Sequence, residues 1–180
     1  MAEPEVWLRG PVEGVAPLLM PAAHALLGAG EEIERAVAEL SPEELWARPA
    51  GAASVGFHVR HAAGSLDRLL TYARGEQLSD EQRAALAREG EPGDPPAGAA
   101  ELVRGLRAAL DRALAQIRAT PEAELLAPRE VGRARLPSNL IGLLFHAAEH
   151  TQRHSGQVIT TAKLVRTGPR PAGAGREGGG

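Results

Sequence analysis

Half of the chain's six histidines fall near the C-terminus, in the run His146-Ala147-Ala148-Glu149-His150-Thr151-Gln152-Arg153-His154. Residues four apart on a helix share a face, so two imidazoles at that spacing can grip one divalent metal ion. His146 and His154 are eight residues apart, about 12 Å along a helix axis, too far to share an ion. The pair is therefore His146/His150 or His150/His154. Steps of about 100° per residue separate the two choices. With Leu140 at zero, Val158 returns to about 0° and Leu144 lies at about 40°, marking the stripe that must be buried. His154 falls at about −40°, His150 at about −80° and His146 at about −120°. His150 and His154 thus border the stripe, while His146 drifts towards solvent.

Two protein ligands rarely hold a divalent ion, so a third is needed. A second pair, His58 and His61, opens another helical pattern some ninety residues earlier and can supply it. Periodicity favours His58 by a small margin, because His61 lies at the edge of that helix's apolar stripe. Three neutral imidazoles would leave the ion its charge and an open position, the mark of a catalytic rather than a structural site. Zn, Ni and Fe all suit such ligands. The residue after His150 is Thr151, so the glutamate of an HExxH metalloprotease is absent. Glu149 and Gln157 flank the pair, and a carboxylate there could orient a ligand or act as a base. Arg153 is expected to face solvent and His24 to pack alone. Asp67, about 9 Å along the helix from His61, is better placed for an ion pair with Arg68 or another helix than for ligation.

Four long amphipathic helices must position these groups. Leu18, Leu19, Ala22, Leu26, Leu27, Ile33, Val37 and Leu40 give the first, from Pro17, with a bend allowed at Gly28 and Gly30. Ser54 starts the second, which runs to about Ala73. The third spans about Ala97 to Ala119. The fourth follows Pro137-Ser138 and extends to about Val165. Ser41-Pro42-Glu43-Glu44 and Ser79-Asp80-Glu81 begin short helices, Gly90–Pro96 reads as a plain linker, and residues 127–137 read as irregular. No credible strand is visible. The expectation is an all-α four-helix bundle with additional short helices over residues 17–167. An extended lead-in of residues 1–16 precedes it, and a disordered Gly/Pro-rich tail of residues 168–180 follows. Long connections leave up-down-up-down order unassured.

The 180 residues suffice for one domain. The hydrophobic fraction is 43% but only 3% is aromatic, so Ala, Leu and Val must fill the core, which suits close-packed helices. A net charge of −3 gives no field to attract nucleic acid. No apolar run reaches the ~20 residues of a membrane span. The chain has no cysteine, which removes disulfides, thiolate ligands and a thiolate nucleophile. A soluble cytoplasmic protein is the expectation.

The segments SVGFHVRHAAGSLDRLLTYARGEQL and HAAEHTQRHSGQVITTAKLV resemble the DinB-like superfamily of metal-binding four-helix bundles. The resemblance covers nearly the whole chain, and HxxxHxGQ with an upstream H-x5-D-R carries it. It implies a DinB/YfiT-like fold with three metal ligands: one histidine early in the second helix and the HxxxH pair in the last. Those positions are His61, His150 and His154, so the resemblance prefers His61 where periodicity leans to His58. His58 and His146 then become candidates for the pocket wall or for contact with a ligand, with Glu149 and Gln157 beside them. The superfamily includes transferases and isomerases that use low-molecular-weight bacterial thiols. The resemblance therefore implies a divalent-metal-dependent enzyme acting on a small molecule, as a thiol-dependent S-transferase, and possible pairing as a homodimer. Metal-dependent hydrolysis, or a non-catalytic metal-binding bundle associated with stress, are the alternatives.

Overall fold

The computed structural model describes residues 3–167; the tail of residues 168–180, expected to be disordered, lies outside the described residues. Three serines start helices where their spacing predicts. Ser41 Oγ accepts from the Glu44 amide (3.2 Å) while the Glu44 carboxylate accepts from the Ser41 amide (2.9 Å), opening the short helix α2 at Pro42–Trp46. Ser54 Oγ accepts from the Phe57 amide (3.1 Å) at the head of α3, Val55–Ala73. Ser79 and Gln82 form the same reciprocal pair before α4, Asp80–Ala87. The remaining long helices are α1, Met20–Val37, entered through a 3₁₀ turn at Pro17–Leu19, then α5, Ala99–Ala119, and α6, Leu140–Thr167.

The four long helices enclose a core of Leu19, Leu26, Ile33, Val59, Leu66, Leu106, Ile117 and Leu144, all fully buried. Each such side chain contributes about 1.5–3 kcal/mol by leaving water. In the ring, α6 packs between α1 and α3, and α5 closes it against those same two helices. The contacts fix the directions. Ser155 donates to Glu32 and Arg166 to the Ala36 carbonyl, so α1 and α6 run parallel. Glu34 pairs with Arg107 and Gly30 faces Leu110, so α1 and α5 are antiparallel. Gln116 donates to the Leu70 carbonyl and Arg112 approaches Asp67, so α3 and α5 are parallel. The order is up-down-down-up.

Two parallel neighbours in succession oblige the chain to return along the bundle between them. Residues 74–98 do so as a strap on the outside of α3. Gln82 donates to Asp67, Glu89 meets Arg68 and His61, Arg60 reaches the Glu91 and Pro92 carbonyls, and Trp46 Nε1 donates to the Ala97 carbonyl. Gly90–Pro96 is an exposed run of turns, as a linker would be, but Arg60 ties it to α3 through the Glu91 and Pro92 carbonyls, and it follows the buried Glu89.

Three further features depart from the sequence reading. Residues 127–137 contain most of a hairpin: β1, Pro128–Val131, pairs antiparallel with β2, Leu136–Asn139. Gly132 and Arg135 turn the chain in the left-handed region, at φ 70° and 51°. The hairpin seats α6, whose first amides donate to the Ala127 and Leu125 carbonyls and to Asn139 Oδ1. α1 continues past Gly28 and Gly30 without interruption. Gly30 serves close packing, since a Cβ there would stand 2.7 Å from Leu110 Cδ1. The lead-in is not simply extended: Val6–Leu8 form a 3₁₀ turn, and Arg9 ties it to Glu31.

Candidate metal centre

The third ring of the site comes from α3 and two come from α6, and antiparallel packing sets their order. As α3 descends from His58 to His61, α6 is read backwards from His154 to His150. His58 Nδ1 accordingly lies 3.2 Å from His154 Nδ1, and His61 Nε2 lies 3.2 Å from His150 Nε2. His61 also faces His154, their ring centroids 4.6 Å apart, and His150 faces His154 at 4.7 Å. One nitrogen from each of His61, His150 and His154 lies within 4.8 Å of the other two. These three form a group that could hold a metal ion.

The donor chemistry fits a borderline divalent ion. All three donors are imidazole nitrogens, which suits Zn, Ni or Fe and not the oxygen-seeking Mg or Ca. Tetrahedral bonds of about 2.0–2.1 Å place ligand nitrogens about 3.4 Å apart, close to the His61–His150 separation. His150 Nδ1 is buried with no hydrogen-bond partner, while its Nε2 faces the cluster. Protons compete weakly as well. Burial first, then the neighbouring His61, His150, His58 and Arg153, push the His154 pKa down to about 3. Burial also lowers His150, with His61, His146 and Arg153 acting in the same direction, and lowers His58, helped by His61. At neutral pH these rings keep lone pairs free for an ion.

Around the cluster, Phe57 stacks on His61 with centroids 5.3 Å apart and planes 19° apart. His58 is buried and touches His154, so the periodicity that favoured it reads burial correctly; His61, at the stripe's edge, is the α3 histidine that meets both α6 rings. His146 is half-exposed, 3.3 Å from Glu149 and 5.5 Å between rings from His150. Glu149 pairs with Arg153, whose guanidinium holds that carboxyl below its ordinary range. Gln157 is exposed. His24 hydrogen-bonds the Gly10 carbonyl at 2.9 Å, away from the cluster. Asp67 meets Gln82 and Arg112 of other helices, while Arg68 pairs with Glu89 instead.

Glu89 is the site residue that spacing did not reveal. Its Oε2 is 2.7 Å from His61 Nδ1, and its Oε1 accepts from Arg68 Nη1 at 2.6 Å. It stands 28 residues after His61, at the end of a polar helix, where nothing in the sequence marks it. The only clue is Gly64, one turn after His61, where a Cβ would collide with Glu89 Oε1. A cleft of about 540 Å³ between the N-terminal segment and α1, lined by Trp7, His24, Glu31 and Gln152, contains none of the three histidines.

No curated protein matches the chain. A family sequence model, described as that of the DinB superfamily, matches residues 25–158, a span that holds all four long helices in whole or in large part and all three clustered histidines. An all-α ring of this kind and a match over most of its length agree, and the chain belongs to the DinB superfamily.

Proposed function

We propose that the protein is a divalent-metal-dependent enzyme, with His61, His150 and His154 as ligands, that transfers a low-molecular-weight thiol to an electrophile. The observation that carries this reading is the meeting of three imidazoles, two of them held neutral by burial, from helices far apart in sequence. An ion bound through three neutral rings supplies Lewis acidity and favours the thiolate form of a thiol that reaches it. The chain has no cysteine, so the sulfur must come from a small molecule. In the transfer, sulfur forms a bond to the electrophilic carbon, the leaving group departs with its electron pair, and the thiol proton passes to solvent or to a nearby base. The half-exposed His146, its ring 5.5 Å from that of His150, is the nearby group we assign to that proton. Metal-dependent hydrolysis uses the same arrangement with water in place of the thiol.

A non-catalytic metal-binding bundle is the alternative reading. Pairing as a homodimer belongs to the proposal. It is supported by the exposed Leu126, Leu136 and Phe145 at and beside the hairpin, and sedimentation measures it.

Untagged protein and His150→Ala, compared by elemental analysis and by assay against thiol–electrophile pairs and esters, test the reading. Near-stoichiometric metal and turnover in the parent, with both largely lost in the variant, are expected. Equal metal in the two proteins would remove the ligand assignment. Tight metal binding with no turnover on any substrate would favour the non-catalytic bundle.

A further inference from the structure

We propose that Glu89, carried by the strap, is a positioning residue that fixes the proton of His61 on Nδ1 and leaves the lone pair of Nε2 facing His150. This rests on the metal-site reading above. A carboxylate only accepts hydrogen bonds, so a neutral His61 whose Nδ1 lies 2.7 Å from Glu89 Oε2 must carry its proton there. Neutral histidine in water holds its proton mainly on Nε2, the wrong atom for this site. Glu89 therefore reverses the default.

Each part of the arrangement has a separate cause. Arg68, buried and a donor only, takes the second carboxylate oxygen and prevents the group from rotating away. Gly64 leaves the space the carboxylate occupies, since a Cβ there would strike Glu89 Oε1 and stand 2.8 Å from Arg68 Nη1. Phe57 stacks on the ring and restrains its plane. His61, Gly64 and Arg68 all lie on one face of α3, and the strap lays Glu89 across that face.

Glu89→Gln makes the argument testable, because the amide is nearly the same shape with different donors. Arg68 can only donate, so it claims the amide oxygen. The amide nitrogen then faces His61 Nδ1, which must become an acceptor and release its proton to Nε2. The ligating atom is thereby blocked. Gly64→Ala reaches the same end by another route: alanine favours the helix, and its methyl displaces the flexible ends of Glu89 and Arg68, parting the carboxylate from His61.

The experiment is NMR of the imidazole nitrogens in metal-free parent, Glu89→Gln and Gly64→Ala, alongside zinc affinity measured by chelator competition. The parent should show the Nδ1 proton on His61. Both variants should shift it to Nε2 and bind zinc about 10–100-fold more weakly. Variants that keep the parent tautomer overturn the proposal, even if affinity falls, because Glu89 would then act only as a structural clamp. Unchanged affinity with a shifted tautomer overturns it too. A parent that binds no zinc would sink the metal reading, while the tautomer comparison would still decide the role of Glu89.

Discussion

His154 shows what a buried imidazole costs when no ion is present. Its folded pKa of about 3 lies far below the ordinary value near 6.5. The unfolded chain therefore binds more protons than the folded one throughout the interval between those values, and stability must fall as pH is lowered through it. Above the unfolded pKa the contribution is fully present and flat. His58 and His150, shifted the same way, add to the slope. For the metal-free protein, urea unfolding at pH 7.5, 6 and 5 should give a falling midpoint. The slope from His154 should approach about 1.4 kcal/mol per pH unit below pH 6. Carboxylates titrate lower, near 4, and leave this window to the histidines. A midpoint unchanged between pH 7.5 and 5 would show that these rings are not held neutral. At this scale the sequence was informative about α6, whose helix wheel separates His150 and His154 from His146. It was less so about α3. That helix is covered by α6, by α5 and by the strap, so even Arg68 is buried. A stripe so wide points at no single histidine, and the motif resemblance had to choose between His58 and His61.

The long helices were legible from their apolar periodicity, and the starts of α2, α3 and α4 because those ends obey local chemistry. Ser41, Ser54 and Ser79 cap these three through contacts three residues long, which need no knowledge of the fold. The hairpin was not, because Pro128, Pro137 and alternating charge hide two four-residue strands whose pairing is set by the turn. Gly30 lies between these cases. The sequence marks a weak point in a helix, and the structure shows a contact that only glycine permits. Gly30→Ala gains helix propensity of about 0.8–1 kcal/mol. It also forces Leu110, 7% exposed and confined by the core, to yield from 2.7 Å. Overpacking of this kind costs about 1–3 kcal/mol, and the cost wins. The variant should be less stable than the parent by up to about 2 kcal/mol in urea unfolding; a more stable variant would mean that Leu110 moves freely.

At the scale of the molecule, ring order and direction were beyond the sequence, since periodicity identifies a buried face without saying which neighbour covers it. Up-down-down-up order follows only from contacts such as Glu32 with Ser155 and Asp67 with Arg112. That order requires a long return between α3 and α5, and the return is unevenly secured. α4 contributes no buried residue, and the strap is held mainly by polar contacts from Arg60, His61, Arg68 and Asp67. Segments with so little apolar burial open locally, at a lower free energy than global unfolding. Opening removes Glu89 from His61, so whatever favours the ordered ring also favours the closed strap. By reciprocity, zinc should slow backbone amide hydrogen exchange in residues 80–98, a region that donates no ligand. Exchange there that ignores zinc would separate the two. If the three histidines hold an ion as proposed, the return path imposed by the fold would work as a latch, its looseness setting how readily that ion could leave.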